Sequence, residues 1–176
     1  MTADIREVRM TDFASLKTEN ADGAFVIRLD RPESRNAISV QMMDDLVAAV
    51  RQGGAAKTTS AVIITGGDNF FSSGRDLKEV AANTDPQGVE RAKSAWRAVT
   101  DRLAQCPKPV IAAIEGHCLT GGLELALACD LRVAGEGASF GITSARLGTL
   151  PGFGATQRLP RLIGASRALE LLFLAE

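Results

Sequence analysis

The segment HCLTGGLELALACD at residues 117–130 contains a single charged residue, Glu124, ahead of Asp130. A helix that is apolar all round is normally buried, and burying a carboxylate without a partner is costly. If Gly121 or Gly122 lies at the start of the helix, its backbone N–H is one of the first-turn donors that have no partner within the helix. Glycine allows another molecule to approach such an N–H closely, and the helix dipole favours negative charge there. This turn is therefore suited to stabilising a developing oxyanion.

A structural role for Glu124 competes with a chemical one. At one turn into the helix, its carboxylate could act as a capping group at the third helical position and accept the N–H of Gly121. The segment alone favours neither interpretation. Burial would raise the pKa of Glu124 and the helix N-terminus would lower it, so the net direction stays open.

A second glycine-containing turn, SSGRDLKEV at residues 72–80, follows the apolar run AVIIT at 61–65. Taken by itself it is a connection from a strand to a loop, with Asp76 as the cap of a short helix. Together the two turns could supply two converging backbone donors, which is the usual form of an oxyanion hole.

Two other motifs give little support for a nucleotide-binding or nucleophilic site. Gly152-Phe153-Gly154 follows a proline rather than a strand and lacks the third glycine of a dinucleotide-binding loop. His117 is the only histidine, no G-x-S-x-G elbow is present, and we expect the adjacent Cys118 to point away from it. We interpret His117 as a structural residue.

Strand and helix patterns alternate along the chain. Short apolar runs indicate strands buried on both faces, apolar residues at helical spacing indicate helices, and Asp22-Gly23 is a hairpin turn signal. These patterns predict strands at 15–18, 24–30, 61–65, 109–114 and 131–135, and helices at 38–51, 86–105, 155–163 and 165–174. Such alternation favours an α/β fold.

Composition narrows the class of protein. The 176 residues suffice for one domain with a sizeable core, and 20 basic against 21 acidic residues provide no basic face for nucleic acid. Three cysteines without metal-like spacing fit reduced thiols, and neither a signal peptide nor a membrane span is evident. We expect a soluble, cytoplasmic protein that binds neither nucleic acid nor membrane.

We expect a single domain over residues 1–176, with residues 1–14 as a flexible extension. The sequence stops inside an apolar helical pattern, LELLFLAE, without a capping signal. Helices commonly end at glycine or asparagine, so this pattern favours a chain truncated at its C-terminal end.

Four blocks of the sequence resemble the enoyl-CoA hydratase/isomerase family, the crotonase superfamily. They are LDRPESRNAI (29–38), AVIITGGDNFFSSGRDLKEV (61–80), KPVIAAIEGHCLTGGLELALACDLRVAG (108–135) and LGTLPGFGATQRLPRLIG (147–164). The resemblance implies the ClpP/crotonase fold, a spiral of repeated ββα units, here without the family's further C-terminal helices. It also implies, if those helices are present, homotrimers that are often paired into hexamers.

The ligand implied by the resemblance is an acyl-CoA thioester, with no metal and no cofactor beyond the CoA of the substrate. Its carbonyl would lie between the backbone N–H groups of Arg75 and Gly121. By position in the motifs, six residues map onto the walls that contact CoA: Ser34, Arg35, Ala37, Ser73, Asp76 and Leu77.

Glu124 matches the first of two catalytic glutamates of the hydratases, whereas the second is replaced by Ser144 in the stretch TSARLG. Hydration uses one carboxylate to activate water and another to deliver a proton, and a serine hydroxyl is a poor substitute for either. The resemblance therefore implies an enoyl-CoA hydratase/isomerase-type lyase with Glu124 as acid/base and Ser144 in the pocket. Two alternatives stay open: a one-carboxylate isomerase or lyase, and a catalytically weak subunit that binds acyl-CoA or has a structural role.

Overall fold

Two β-sheets and six helices make up the part of the chain that the computed structural model describes, residues 13–175. The expected extension at 1–14 lies outside this range except for its last two residues. In chain order the elements are β1 (Leu16–Ala21), β2 (Ala24–Leu29), α1 (Val40–Ala55), β3 (Ala61–Thr65), β4 (Phe70–Ser72), α2 (Leu77–Ala82), α3 (Pro86–Ala104), β5 (Val110–Ile114), β6 (His117–Leu119), α4 (Gly121–Ala128), β7 (Leu131–Ala134), β8 (Ser139–Gly141), α5 (Ala155–Ile163) and α6 (Ala165–Leu174).

The larger sheet has the strand order β1-β2-β3-β5-β7. Strands β1 and β2 form an antiparallel hairpin, and the other pairs are parallel. Asp22 and Gly23 both have positive φ, 48° and 80°, which is the backbone that a two-residue hairpin turn requires. The predicted hairpin and the predicted α/β class are confirmed, and β3 has the predicted limits.

A second, smaller sheet was not predicted. It contains the three-residue strands β4, β6 and β8 in parallel. Each follows one strand of the larger sheet after a short turn: β4 follows β3, β6 follows β5, and β8 follows β7. This repetition of two strands and a helix is the spiral of ββα units that the resemblance implied. Strands of three residues are too short to show a period in the sequence.

Local side-chain contacts fix where the helices begin. Ser39 caps α1 by accepting the N–H of Met42, and Asp85 and Pro86 open α3. The prediction of 38–51 for α1 was wrong at both ends. The helix begins after Ser39 and continues through Gly53, where a Cβ would lie 2.6 Å from the ring of Phe25. Close packing on the sheet thus overrides the low helix propensity of glycine.

The hydrophobic core lies between the two sheets and helices α1, α3 and α4. Its largest fully buried side chains include Trp96, Phe71, Ile27, Ile64 and Leu46. No helix in residues 13–175 is long and apolar enough to cross a membrane. Because β4 and β6 are parallel neighbours, the turns that follow them lie side by side, which brings together the two glycine-containing turns singled out in the sequence.

Candidate active site

The backbone nitrogens of Arg75 and Gly121 lie close together where the two glycine-containing turns meet. A Cβ built on Gly121 would lie 3.1 Å from the Arg75 nitrogen, and one built on Gly74 would lie 3.1 Å from the Gly121 nitrogen. Gly74 also has a φ of 101°, which side chains rarely adopt. Within residues 13–175 neither N–H donates to a protein acceptor. The structure therefore brings together the two donors predicted from separate turns.

The backbone conformation of Thr120 determines how the chain enters α4 at Gly121. Its φ of 44° and ψ of −108° are unusual for a β-branched residue. Three hydrogen bonds hold it there: its N–H donates to Gly141 O at 2.8 Å, its Oγ1 is paired with Thr143 Oγ1 at 2.8 Å, and it accepts the Thr143 N–H. Strain of this kind persists only when surrounding contacts fix it, and it is frequent at functional sites.

Glu124 is buried in the first turns of α4, with 3% of its surface exposed. It is the fourth helical residue rather than the third, and α4 has no side-chain cap. In the described part of the chain its Oε1 atom has no hydrogen-bond partner. The capping interpretation of Glu124 is therefore wrong, because the carboxylate does not fold back onto the helix N-terminus.

The surroundings of Glu124 bring its pKa close to neutral pH. Burial raises the pKa of Glu124 to about 7, and the backbone N–H of Gly152 and the charge of Arg75 act in the opposite direction. Desolvation therefore decides the direction that the sequence left open. A carboxyl group with a pKa near the working pH is suited to both accept and donate a proton.

Ser144 begins a short 3₁₀ turn, Ser144–Leu147, and is also buried, with 3% exposed. Its carbonyl accepts the N–H and the hydroxyl of Thr149. The Thr120–Thr143 hydrogen bonds tie this turn to the start of α4. Ser144 thus lies in a segment anchored to the glycine turn.

The predicted CoA-contacting residues of the two loops come together. Ser73 donates its N–H to Arg35 O at 3.0 Å and its hydroxyl to Ser34 O at 3.3 Å. The guanidinium of Arg35 lies over the ring of Phe70, 5.4 Å from its centroid. These contacts join residues 34–35 to residue 73 as one wall.

Ala37, Asp76 and Leu77 continue this wall. Arg31 donates to Ala37 O at 2.7 Å and to Asp76 Oδ2 at 3.0 Å. Burial acts to raise the pKa of Asp76, but the Arg31 guanidinium and the N–H groups of Glu79 and Lys78 outweigh it and lower the pKa. The side chain of Leu77 is 55% exposed. Asp76 is the predicted cap of the short helix, since its Oδ1 accepts two N–H groups of α2.

Sequence reasoning missed several residues that build the site. Ser72 Oγ donates to Asn36 O at 2.7 Å and accepts the Gly74 N–H, so it links the two loops beneath the donors. Trp96, whose ring stacks on Phe153 at 4.2 Å, lies below Gly121. Apart from the local Ser72–Gly74 hydrogen bond, these contacts join residues far apart in the chain, so the spacing of the residues does not predict them.

The structure shows where His117 and the loop at residues 152–154, the two motifs given little weight above, are placed. His117 is exposed, with Nδ1 2.6 Å from Ser139 Oγ, and the neighbouring Cys118 is fully buried on the opposite face of β6. The backbone N–H of Gly152 acts on Glu124 instead of a dinucleotide. No group of three potential metal ligands occurs among the described residues.

Comparison with known proteins assigns the class. The family model described as enoyl-CoA hydratase/isomerase matches residues 19–176. The chain belongs to this family.

Individual relatives agree with this assignment. The chain is 42% identical to the human mitochondrial methylglutaconyl-CoA hydratase over 163 residues, covering 91% of this chain and 47% of that protein. It is 39% identical to the mitochondrial enoyl-CoA hydratase of Pongo abelii, covering 84% and 50%. A crystal structure of an enoyl-CoA hydratase from Bacillus anthracis superposes with a TM-score of 0.85 at 41% identity, covering 92% of this chain and 63% of that one. The chain thus spans about half the length of these curated relatives.

Proposed function

We propose that the chain acts on acyl-CoA thioesters as an enoyl-CoA hydratase/isomerase-type enzyme. The observation that carries this proposal is the position of Glu124, a buried carboxyl group with a free oxygen and a pKa of about 7 in the same helix turn as Gly121. Family membership supports the thioester as substrate.

In the proposed mechanism the thioester carbonyl oxygen accepts the N–H groups of Arg75 and Gly121. These donors stabilise the negative charge that develops on that oxygen when a proton leaves the α-carbon or when a hydroxyl adds to the β-carbon. A single such donor is worth about 10²–10³ in rate in other oxyanion holes. Because both are backbone groups held by the turns after β4 and β6, they need no rearrangement during the reaction.

Glu124 moves the proton. As a carboxylate it takes a proton from the α-carbon of a 3-enoyl thioester, and as the resulting acid it returns that proton to the γ-carbon, giving the 2-enoyl product. For hydration, the hydroxyl of water adds to the β-carbon and a proton is delivered to the α-carbon. A group that half-ionises near pH 7 can perform either transfer.

Replacing Glu124 with glutamine tests this role. We expect turnover of an enoyl-CoA to fall at least ~10²-fold, because general acid–base catalysis contributes about that much. Exchange of the α-proton of a saturated acyl-CoA with deuterium, followed by NMR, should fall in parallel. Unchanged turnover and exchange would refute the role of Glu124.

Ser144 supports a second candidate, a one-carboxylate isomerase or lyase. It is buried within the segment tied to the glycine turn, where the resemblance predicts a second glutamate. An enzyme with one carboxylate should move a double bond faster than it hydrates crotonyl-CoA. Replacing Ser144 with glutamate should raise the hydration rate, and no rise in a folded variant would argue against a hydratase site that lacks only this group.

A third candidate is a subunit that binds acyl-CoA without turnover. It predicts measurable binding of CoA esters and no reaction with any enoyl chain. The Oε1 atom of Glu124, which has no partner among the described residues, favours the catalytic candidates over this one, because a buried carboxyl oxygen without a hydrogen bond costs stability and does nothing for binding alone.

We also propose that copies of the chain associate, as the resemblance implies for trimers. Apolar side chains on α5 and α6 support this: Leu162 is 54%, Leu169 46% and Phe173 76% exposed. Sedimentation velocity of the purified chain tests it, and a monomer at micromolar concentration would refute it. A cytoplasmic location and the absence of a separate cofactor remain parts of the proposal.

A further inference from the structure

A cavity of about 150 Å³ lies between the start of α1, helix α2 and the first turns of α3. Two arginines, Arg75 and Arg91, line it together with one carboxylate, Glu79. Val80 and Ala92 contribute apolar walls.

Arg75 links this cavity to the candidate active site. Its backbone nitrogen lies beside the Gly121 turn, and the residue is part of the cavity lining. The charge of Arg75 also interacts with Glu124, because it acts to lower the pKa of that carboxyl group. A ligand whose carbonyl accepts the Arg75 N–H would therefore have the cavity within reach of a short chain.

Arg75 is half-buried and, within residues 13–175, its guanidinium has no hydrogen bond and no ion pair within 4 Å. Burying a cation without a partner is costly, so such a group is prepared for an anion. Glu79 offsets one of the two guanidinium charges of the lining; its Oε2 accepts the Val40 N–H at 2.8 Å, and among the described residues no ion pair within 4 Å joins it to Arg75. The lining thus presents an available positive charge.

Arg91 adds a second, more exposed charge. Its Nη2 lies 3.3 Å from Asp44 Oδ2, and both side chains are more than half exposed. Exposed ion pairs of this kind contribute little and rearrange readily. Arg91 can therefore turn towards an anion in the cavity, although we expect Arg75 to contribute more.

We propose that Arg75 and Arg91 select an acyl-CoA whose short acyl chain ends in a carboxylate. This inference rests on the proposed function, since the thioester carbonyl must lie at the Arg75 N–H. A guanidinium binds a carboxylate through two parallel hydrogen bonds, and the apolar walls formed by Val80 and Ala92 suit the methylene groups before it.

Binding of two saturated esters tests the inference without requiring turnover. Glutaryl-CoA carries a terminal carboxylate and butyryl-CoA does not, and calorimetry gives the dissociation constant of each. We expect glutaryl-CoA to bind about tenfold more tightly, because hydrogen bonds between charged groups are stronger than neutral ones and because this site is partly solvated.

Variants assign the preference to residues. Arg75→Met and Arg91→Met should each reduce the affinity ratio of the two esters, and Arg75→Lys should retain part of it. Arg97→Met is the matched control, because Arg97 lies on the same helix as Arg91 and is exposed outside the cavity. Circular dichroism checks folding, and the exposed position of Arg91 keeps one variant informative if Arg75→Met fails to fold.

The outcomes separate this inference from the proposed function. Equal affinity for the two esters would overturn the inference and leave the thioester enzyme intact. A preference for glutaryl-CoA that survives in both methionine variants would overturn the assignment to these arginines. Binding of neither ester would overturn the inference and the proposed function together.

Discussion

Replacing Glu124 with glutamine should stabilise the protein in a way that depends on pH. The side chain is 3% exposed, and its pKa is raised from 4.5 to about 7. One pKa unit corresponds to 1.36 kcal/mol, so ionising Glu124 in the folded protein costs about 3 kcal/mol more than in the unfolded chain. Glutamine is nearly isosteric and carries no charge, so the variant avoids this cost.

The direction follows from the protons bound in each state. Below pH 4.5 the glutamate is neutral in both states, and the cost is absent. Between pH 4.5 and about 7 the unfolded chain releases the proton and the folded protein retains it, so the free energy of unfolding of the wild type falls as pH rises. Above about pH 7 the full cost is present, and the difference between variant and wild type reaches a plateau.

Urea denaturation at several pH values between 4 and 8 measures this difference. We expect the stability of Glu124→Gln relative to the wild type to rise by about 3 kcal/mol across the range. Glu90→Gln, at an exposed position on α3, is the charge-matched control. A Glu124→Gln difference that is the same at pH 4 and pH 8 would refute the argument that desolvation governs this carboxyl group.

Three further predictions concern the donors, their glycines and the cap of α2. Arg75→Met should raise the pKa of Glu124 further, because the Arg75 charge acts to lower it. The acidic limb of the pH–rate profile should therefore move to higher pH, and a limb that does not move would contradict this prediction. Gly121→Ala should lower kcat about 10²-fold, because the new methyl group would lie 3.1 Å from the Arg75 nitrogen, where the carbonyl oxygen of the substrate must bind. Gly122→Ala should mainly lower the melting temperature, because its methyl group would lie 2.7 Å from the backbone oxygen of Ser72. Equal effects of the two variants on both measurements would argue against a carbonyl site between the Arg75 and Gly121 nitrogens. Asp76→Ala should lower the free energy of unfolding, measured by urea denaturation at pH 7, by about 1–2 kcal/mol, because it removes the cap of α2. Because the pKa of Asp76 is lowered in the folded protein, the difference between variant and wild type should shrink as pH falls below 3.8. A difference independent of pH would contradict this prediction.

Much of the fold was predictable because it depends on local patterns. The apolar run of β3, the glycine that separates α5 from α6, and the Asp22-Gly23 turn each impose their structure through neighbouring residues. The strands of the smaller sheet were not predictable. Three residues such as those of β4 form a strand only because β6 lies beside them.

The candidate site divides in the same way. The sequence by itself identified Glu124 as the single charge in an apolar helix and marked the glycine pair before it. It also marked the turn that contains Arg75 as a possible second donor. These are properties of residue type and spacing, and they need no knowledge of distant contacts.

Only the tertiary structure decided how these groups act. The direction of the Glu124 pKa depends on how completely neighbouring elements exclude water, and burial outweighs the Gly152 N–H and the Arg75 charge. The Arg75 and Gly121 nitrogens lie close together because parallel pairing of β4 and β6 places their turns side by side. Desolvation and strand pairing both involve residues far apart in the chain, and for that reason no local pattern contains them.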